Sequence, residues 1–381
     1  MVLDRPFHCP TRIIEGLPYD RALADIVQNQ SWALVTSRSW LTKGADKTLA
    51  EACVRPSAVL ADVNPNPTFS DLVNLAGRMP SVSHVVALGG GSVIDAAKGV
   101  LAMNELANDR EAMLKHLRDG APLPPEINPR PLIAIPTTSG SGSEVTQWGT
   151  IWSNDGIKYS VTDAKLYPRH AILDPSLCVS MPSDLTLATA LDALSHAMES
   201  VWNVRHTPIT DGLAAQAIQL VWGNLETAMS APENLPARRS LQTAAVLAGL
   251  AISKTQTALA HSISYPFTAQ FNIPHGLACS FTLPEIARFN GEHDPARLEP
   301  IARSLSCTTG DVAEVLEKWL ISLGVGKLLL SYVQPSMIDG IGDGLITRAR
   351  AKNNIRSADG ATARGLAHRA LIRLNPDQQF N

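Results

Sequence analysis

The first half of the chain alternates short apolar runs with longer segments of mixed polarity. Residues 32–36 (WALVT), 58–63 (AVLADV), 84–88 (HVVAL) and 132–135 (LIAI) are bounded by turn residues and read as buried strands. The second run closes on Asn64-Pro65-Asn66-Pro67, the third on Gly89-Gly90-Gly91 and the fourth on Pro136. Helix-length segments at 40–54, 68–78 and 93–104 lie between them. Strands alternating with helices at this spacing predict a parallel, doubly wound sheet. The Pro-rich stretch 121–131 reads as a surface loop from the third of these helices to the fourth strand. Near Met181-Pro182 the pattern changes. Segments 185–204, 209–229, 237–254 and 312–323 are rich in Ala and Leu with a 3.6-residue period, the mark of packed helices. The expected organisation is an α/β domain over 1–180 and an all-α domain over 181–381.

Composition narrows the class. With 45% hydrophobic and 18% charged residues, the chain can bury a sizeable core and does not read as disordered. A net charge of −3, from 32 basic and 35 acidic residues, leaves no basic footprint for nucleic acid. Cys9, Cys53, Cys178, Cys279 and Cys307 are odd in number and lack CxxC spacing, so a disulfide scaffold or a cysteine zinc site is not expected. No apolar run reaches the roughly 18 residues of a membrane span. The N-terminal MVLDRPFHCP lacks the apolar core of a secretory leader, which predicts a cytoplasmic protein.

Two loops follow predicted strands. Gly89-Gly90-Gly91-Ser92 opens a helix, where glycines let backbone N–H groups approach a phosphate and the helix terminus adds positive charge. It is neither GxGxxG nor a P-loop, and a plain tight strand-to-helix turn satisfies it equally. The second loop, PTTSGSGSE (136–144), carries hydroxyls and glycines at the same sheet edge, where open parallel sheets bind ligands. Taken alone, it also reads as a solvated turn.

Asp192 and His196 stand four apart in LATALDALSHAMES (187–200), on one face of a predicted helix among Ala and Leu. An ionisable pair there is costly unless it is paired or metallated. His261 and His275 lie downstream, and one carboxylate with three imidazoles suits Fe(II) or Zn(II). A hydrogen-bonded core histidine remains the alternative for each imidazole alone. HExxH and GxSxG are absent, which leaves peptidase and serine-hydrolase readings unsupported.

Together GGGSVIDAAKG (89–99), PTTSGSGSEVT (136–146), AILDPSL (171–177), LATALDALSHAMES (187–200) and AHSISYPFTAQFNIPHG (260–276) resemble the iron-dependent alcohol dehydrogenase family, in family order. The resemblance implies an N-terminal α/β dinucleotide-binding domain and a C-terminal helical metal-binding and catalytic domain, the dehydroquinate synthase-like, iron-type alcohol dehydrogenase fold. It implies metal ligands Asp192, His196, His261 and His275 for Fe2+, with Zn2+ as the alternative. It assigns Gly89, Gly90, Gly91 and Ser92 to the cofactor pyrophosphate, with Asp95 and Lys98 completing that motif. Thr137, Thr138 and Thr146 would line the nicotinamide end and Lys158 its ribose. The implied reaction is reversible hydride transfer between NADH or NADPH and a small aldehyde, in a homodimer.

Within the family, HSISYPFTAQFNIPHGLACSFTLP (261–284) and KYSVTDAKLYPRHAILDP (158–175) are most similar to phosphonoacetaldehyde reductases, which implies a phosphonate-bearing substrate. Three positions depart from the family pattern. Tyr265 stands where many members have a second histidine, and is expected to shape the substrate site or donate a proton. Ser37, followed by Arg38, replaces an Asp common in NAD-preferring members, which predicts acceptance of NADPH. Lys254 precedes His261 by seven residues, two helical turns on one face, and is expected to hold the phosphonate. Arg348, Arg350 and Arg356 are further candidates. The rivals are a reductase for neutral aldehydes, a dehydroquinate-synthase-like lyase that recycles its cofactor, and a non-catalytic binding protein.

Overall fold

Apolar runs without polar breaks form strands that are covered on both faces, and that rule builds the first part of the molecule. The computed structural model describes residues 6–155 and 157–378, with the side chains of 342–344 and 348 outside the described set. The chain divides into two units, Cys9–Ser180 and the residues from Met181 onward, with residues 6–8 grouped with the latter.

The first unit runs β1 (Arg12–Glu15), α1 (Tyr19–Val27), β2 (Trp32–Val35), α2 (Arg38–Thr42), α3 (Ala45–Ala52), β3 (Ala58–Leu60), α4 (Phe69–Arg78), β4 (His84–Gly89), α5 (Gly91–Glu105), α6 (Arg110–Asp119), β5 (Leu132–Pro136), β6 (Trp148–Trp152), β7 (Lys158–Thr162) and β8 (His170–Leu173). Six strands form a parallel sheet in the order β1-β8-β5-β4-β2-β3, and β6 and β7 form an antiparallel hairpin. Successive strand residues point to opposite faces. Trp32, Leu34, Val86, Leu88, Ile133 and Ile135 therefore pack with α1 and α3 on one side. Ala33, Val35, Val85, Ala87, Leu132 and Ala134 pack with α4, α5 and α6 on the other.

Local chemistry sets the breaks. The helix expected over 40–54 is two pieces, because Gly44 adopts φ 78° between α2 and α3. The strand expected over 58–63 stops at Leu60, and Asp62 makes only an isolated bridge with Ser37. Asp109 caps α6 by accepting from Glu111 and Ala112, so a further helix stands between α5 and the loop at 121–131. Thr68 and Asp71 close a reciprocal capping box at the start of α4.

The second unit is helical: α7 (Ser183–Val201), α8 (Pro208–Ser230), α9 (Leu235–Thr255), α10 (Leu259–Phe271), α11 (His275–Ser280), α12 (Leu283–Gly291) and further helices, including Val312–Ser322 and Arg348–Ala351. Its core joins Leu191, Leu194 and Met198 of α7 to Ile218 and Val221 of α8 and Leu241 and Ala248 of α9. Alanine at many contact positions lets these helices approach closely. Among the described residues no helix is long and apolar enough to cross a membrane.

Candidate active site

In the helical unit α7, α10 and α11 bring ionisable side chains to one point. Asp192 Oδ1 lies 3.7 Å from His196 Nε2, 3.5 Å from His261 Nε2 and 3.9 Å from His275 Nε2. His196 and His261 stack with ring centroids 4.6 Å apart, and His275 meets His261 edge-on at 5.4 Å. Asp192 Oδ1 and His261 Nε2 are buried without a hydrogen bond. Burial pushes the Asp192 carboxyl up, but the charges of His196, His275 and His261 outweigh it and hold the group well below the carboxylate range.

Ligand atoms of Asp192, His261, His275 and Cys279 all lie within 4.8 Å of one another. Separations near 3.5 Å are too long for good hydrogen bonds. Four donors set tetrahedrally at about 2.1 Å around one ion stand roughly 3.4 Å apart, so the donor set fits a divalent metal.

Glu199 supports this point from behind. It lies on α7, three residues past His196, and is fully buried. Its Oε2 accepts from His261 Nδ1 at 2.6 Å and from the Ala258 amide at 3.0 Å, while Oε1 accepts from the His261 amide at 3.1 Å. Burial pushes the Glu199 carboxyl up, yet His261 and the two amides bring it below its ordinary value. A carboxylate on Nδ1 fixes the tautomer that leaves Nε2 as a ligand atom. Gly276 lets α11 reach the site: a Cβ there would lie 1.7 Å from the Ala188 carbonyl oxygen of α7.

In the α/β unit, β4 and β5 end side by side, with Gly89 opposite Pro136. The loops that follow therefore leave the same sheet edge. Gly91 opens α5, and a Cβ at Gly91 would meet Ser141 Oγ at 2.5 Å, so glycine is needed where the loops touch. Thr138 lies 3.1 Å from where a Gly90 Cβ would stand. Ser92 Oγ accepts from the Asn66 amide at 3.3 Å, and Thr137 Oγ1 accepts from the Trp40 indole at 3.2 Å.

Other predicted cofactor residues hold the loops to each other. Asp95 Oδ2 accepts from the Thr150 amide at 2.8 Å and Oδ1 from Ser143 Oγ. The buried Lys98 ammonium donates to Ser143 O at 2.7 Å, Trp148 O at 2.8 Å and Thr146 Oγ1 at 3.3 Å. Burial lowers Lys98 to about 8 and raises its neighbour Glu144 to about 7. Lys158 stands on β7, and its charge acts on Asp95. Ser37 immediately precedes α2 without a side-chain capping bond, and its Oγ lies 2.8 Å from Ser39 Oγ. Arg38 is highly exposed and reaches Asp62 at 3.6 Å, which also pairs with Arg78 at 2.7 Å. The open cation expected at Arg38 thus has an acidic neighbour.

The substrate candidates fare unevenly. Lys254 lies half-buried in the last turn of α9. Gln256, at φ 63°, ends that helix before α10 begins, which overturns the expectation that Lys254 and His261 share one helical face. Arg350 is half-buried on the short helix Arg348–Ala351. Thr347, just before that helix, exchanges hydrogen bonds with Ser262, the residue after His261. The Arg348 side chain lies outside the described residues. Arg356 is built into the helical unit: it donates to Phe289 O at 2.6 Å and Glu292 at 2.8 Å. Tyr265 is half-buried and stacks on His275 with centroids 6.3 Å apart.

The family model "Iron-containing alcohol dehydrogenase" matches residues 10–175, and "Fe-containing alcohol dehydrogenase family, C-terminal" matches 186–340. An NADPH-dependent butanol dehydrogenase of Clostridium saccharobutylicum is 34% identical over 268 residues, 70% of this chain and 68% of that protein. The chain belongs to the iron-containing alcohol dehydrogenase family. A 1-propanol dehydrogenase of Citrobacter freundii is 35% identical over 65% of this chain, which spans 62% of that relative's length. The crystal structure of a sulfoacetaldehyde reductase from Bifidobacterium kashiwanohense, in complex with NAD+, is similar with a TM-score of 0.87. It is 29% identical, and the match covers 96% of this chain and 98% of that one.

For an iron-containing alcohol dehydrogenase, the site holds two side chains that sequence reasoning missed, Glu199 and Cys279. Asp192, His196 and Glu199 follow i, i+4, i+7 spacing, and Cys279 is i+4 from His275. The helical period that singled out Asp192 and His196 could have found both.

Proposed function

We propose that this family member is a metal-dependent NAD(P)H aldehyde reductase whose aldehyde carries a phosphonate, with phosphonoacetaldehyde giving 2-hydroxyethylphosphonate. The observation that carries the reductase reading is the cluster of Asp192, His261 and His275 around buried ligand atoms that make no hydrogen bond. The net reaction is aldehyde plus NAD(P)H plus a proton, giving alcohol plus NAD(P)+.

When bound, the metal supplies Lewis-acid polarisation of a carbonyl oxygen, and the reduced nicotinamide supplies hydride. Asp192, His196, His261 and His275 hold the ion, and Glu199 orients His261. Gly89, Gly90, Gly91 and Ser92 receive the pyrophosphate at the start of α5, where helix and backbone favour an anion. Thr137 and Thr138 line the nicotinamide end, Ser37 the adenine ribose and Lys158 the other ribose. Asp95, Lys98 and Thr146 keep the two loops in register. Ser37 adds no negative charge at the ribose, which supports use of NADPH. Tyr265 shapes the substrate side of His275, and Lys254 and Arg350 receive the anionic head group. The protein of this reading is cytoplasmic and homodimeric.

Support for an anionic substrate comes from the similar structure named as a sulfoacetaldehyde reductase, since a sulfonate and a phosphonate on a two-carbon aldehyde share size and sign. The names of the propanol and butanol dehydrogenases favour a second reading, a reductase of neutral aldehydes.

The test uses protein purified anaerobically and loaded separately with Fe(II) and Zn(II). Phosphonoacetaldehyde, sulfoacetaldehyde, acetaldehyde and propanal are compared, each with NADH and NADPH. A kcat/KM at least ~100-fold higher for the phosphonate, about 2.7 kcal/mol of discrimination, is expected. Equal rates with propanal refute the phosphonate assignment and leave the reductase. Cofactor left unoxidised by every aldehyde, despite bound metal, refutes the reductase itself. Lys254→Ala is expected to raise KM for the phosphonate at least about tenfold while leaving propanal unchanged.

A further inference from the structure

The short helix Arg348–Ala351 is pinned at both ends to the stretch of chain that carries His261. Before it, the fully buried Ser262 hydroxyl accepts from the Thr347 amide at 2.7 Å and donates to Thr347 O at 3.1 Å. After it, the buried Asn353 donates from Nδ2 to Thr257 O at 2.8 Å, and its own carbonyl accepts from the Val204 amide at 2.8 Å. The two attachment points, Thr257 and Ser262, straddle His261. Thr347 O also accepts from the Arg350 and Ala351 amides, at 2.9 and 3.0 Å, so the helix turns on the residue that Ser262 grips. Arg350 itself is half-buried, and among the described residues its side chain makes no hydrogen bond or ion pair. Arg288, Arg297, Arg356 and Arg369 of the same unit each pair with a carboxylate. A partly desolvated guanidinium with no internal anion favours one supplied from outside.

We propose that Ser262 and Asn353 are positioning residues for substrate specificity: by holding the Arg348–Ala351 helix at both ends against the start of α10, they set the Arg350 charge at a fixed span from His261. This rests on the reading that Arg350 receives the anionic head group. A two-carbon aldehyde with an anionic head group must reach the guanidinium and the metal ligands at once, so its binding depends on that span. A neutral aldehyde makes no demand on it. Small displacements of a positioned group are costly, which is why backbone pins at both ends matter more than the charge alone.

The test uses protein loaded with Fe(II) and compares phosphonoacetaldehyde with propanal for the wild type, Ser262→Ala, Asn353→Ala, Arg350→Ala and the double variant Ser262→Ala/Arg350→Ala, with metal content fixed by elemental analysis. The ratio of kcat/KM for the two aldehydes is expected to fall at least about tenfold in each pin variant, through a raised KM for the phosphonate, at unchanged metal content. The double variant should fall no more than about twofold below Arg350→Ala, because the pins act through that side chain. Ser262→Ala and Asn353→Ala release opposite ends of the helix, so each checks the other. A ratio that falls in Arg350→Ala but in neither pin variant overturns the proposal and leaves Arg350 as the anion's partner. Pin variants that lose metal, or lose rate equally with both aldehydes, hold the fold or the metal site instead, and this also overturns it. A ratio unchanged by Arg350→Ala, in an enzyme that still prefers the phosphonate, refutes both the role of Arg350 and the pins. Wild-type enzyme without that preference refutes the phosphonate reading along with the proposal.

Discussion

Glu199→Gln isolates the electrostatic work of a buried carboxylate at almost constant shape. The carboxylate accepts three N–H groups, from Ala258, His261 and the His261 ring. Glutamine has one acceptor oxygen and one NH2. If its oxygen takes the place of Oε2, the ring and the Ala258 amide stay bonded, and the NH2 faces the His261 amide, donor against donor. One charge-assisted bond is lost, about 1.5–3 kcal/mol, and a buried N–H is left unpaired. Metal-free Glu199→Gln should therefore unfold about 2–4 kcal/mol more easily in urea. Its ring contact is weaker, so Zn2+ affinity measured against a chromophoric chelator should fall about 10–100-fold. Glu199→Ala strips all three acceptors and should cost upward of about 3 kcal/mol. Glu199→Asp keeps the charge but draws it back by one methylene, and should fall between wild type and Glu199→Gln in metal affinity. Glu199→Gln with affinity within about threefold of wild type would refute the view that this carboxylate orients the ligand.

Other perturbations address the remaining parts. Gly276→Ala would set a Cβ 1.7 Å from Ala188 O, so α11 must shift off α7; the expected cost is at least about 1–3 kcal/mol with loss of bound metal, read by thermal melting and elemental analysis. Gly91→Ala would meet Ser141 Oγ at 2.5 Å and should weaken dinucleotide binding at least about tenfold in fluorescence titration, with metal content unchanged. Glu144 has its folded pKa raised to about 7 by burial, so the folded state binds more protons than the unfolded one between about pH 4.5 and 7 and stability falls as pH rises through that window. The loss is on the order of 3 kcal/mol. Glu144→Gln should remove this slope in urea unfolding at pH 5 and 7.5, and an unchanged slope would rule Glu144 out as its source.

The strands WALV, HVVAL and LIAI are legible because each, His84 apart, is apolar and closes on turn residues. The long helices α7, α8 and α9 are legible because their buried faces repeat every 3.6 residues. The edge strand β1 and the hairpin β6–β7 escaped: β1 is four residues and largely exposed, so burial writes little pattern into it. The break at Gln256 escaped because a non-glycine residue carries no clear signal for positive φ.

Sequence alone also placed Asp192 and His196 on one face, since four residues is about one helical turn. It could not place His261 or His275 against them, because convergence of α7, α10 and α11 depends on how helices pack, not on spacing along any one of them. Gly276 opens the gap between α11 and α7, and Glu199 accepts from a ring 62 positions away. Periodicity reports which face of an element leaves water, a local property of the chain. Which buried faces meet, and so which donors share a point, is fixed by close packing between elements distant in sequence, and only the tertiary structure decides it.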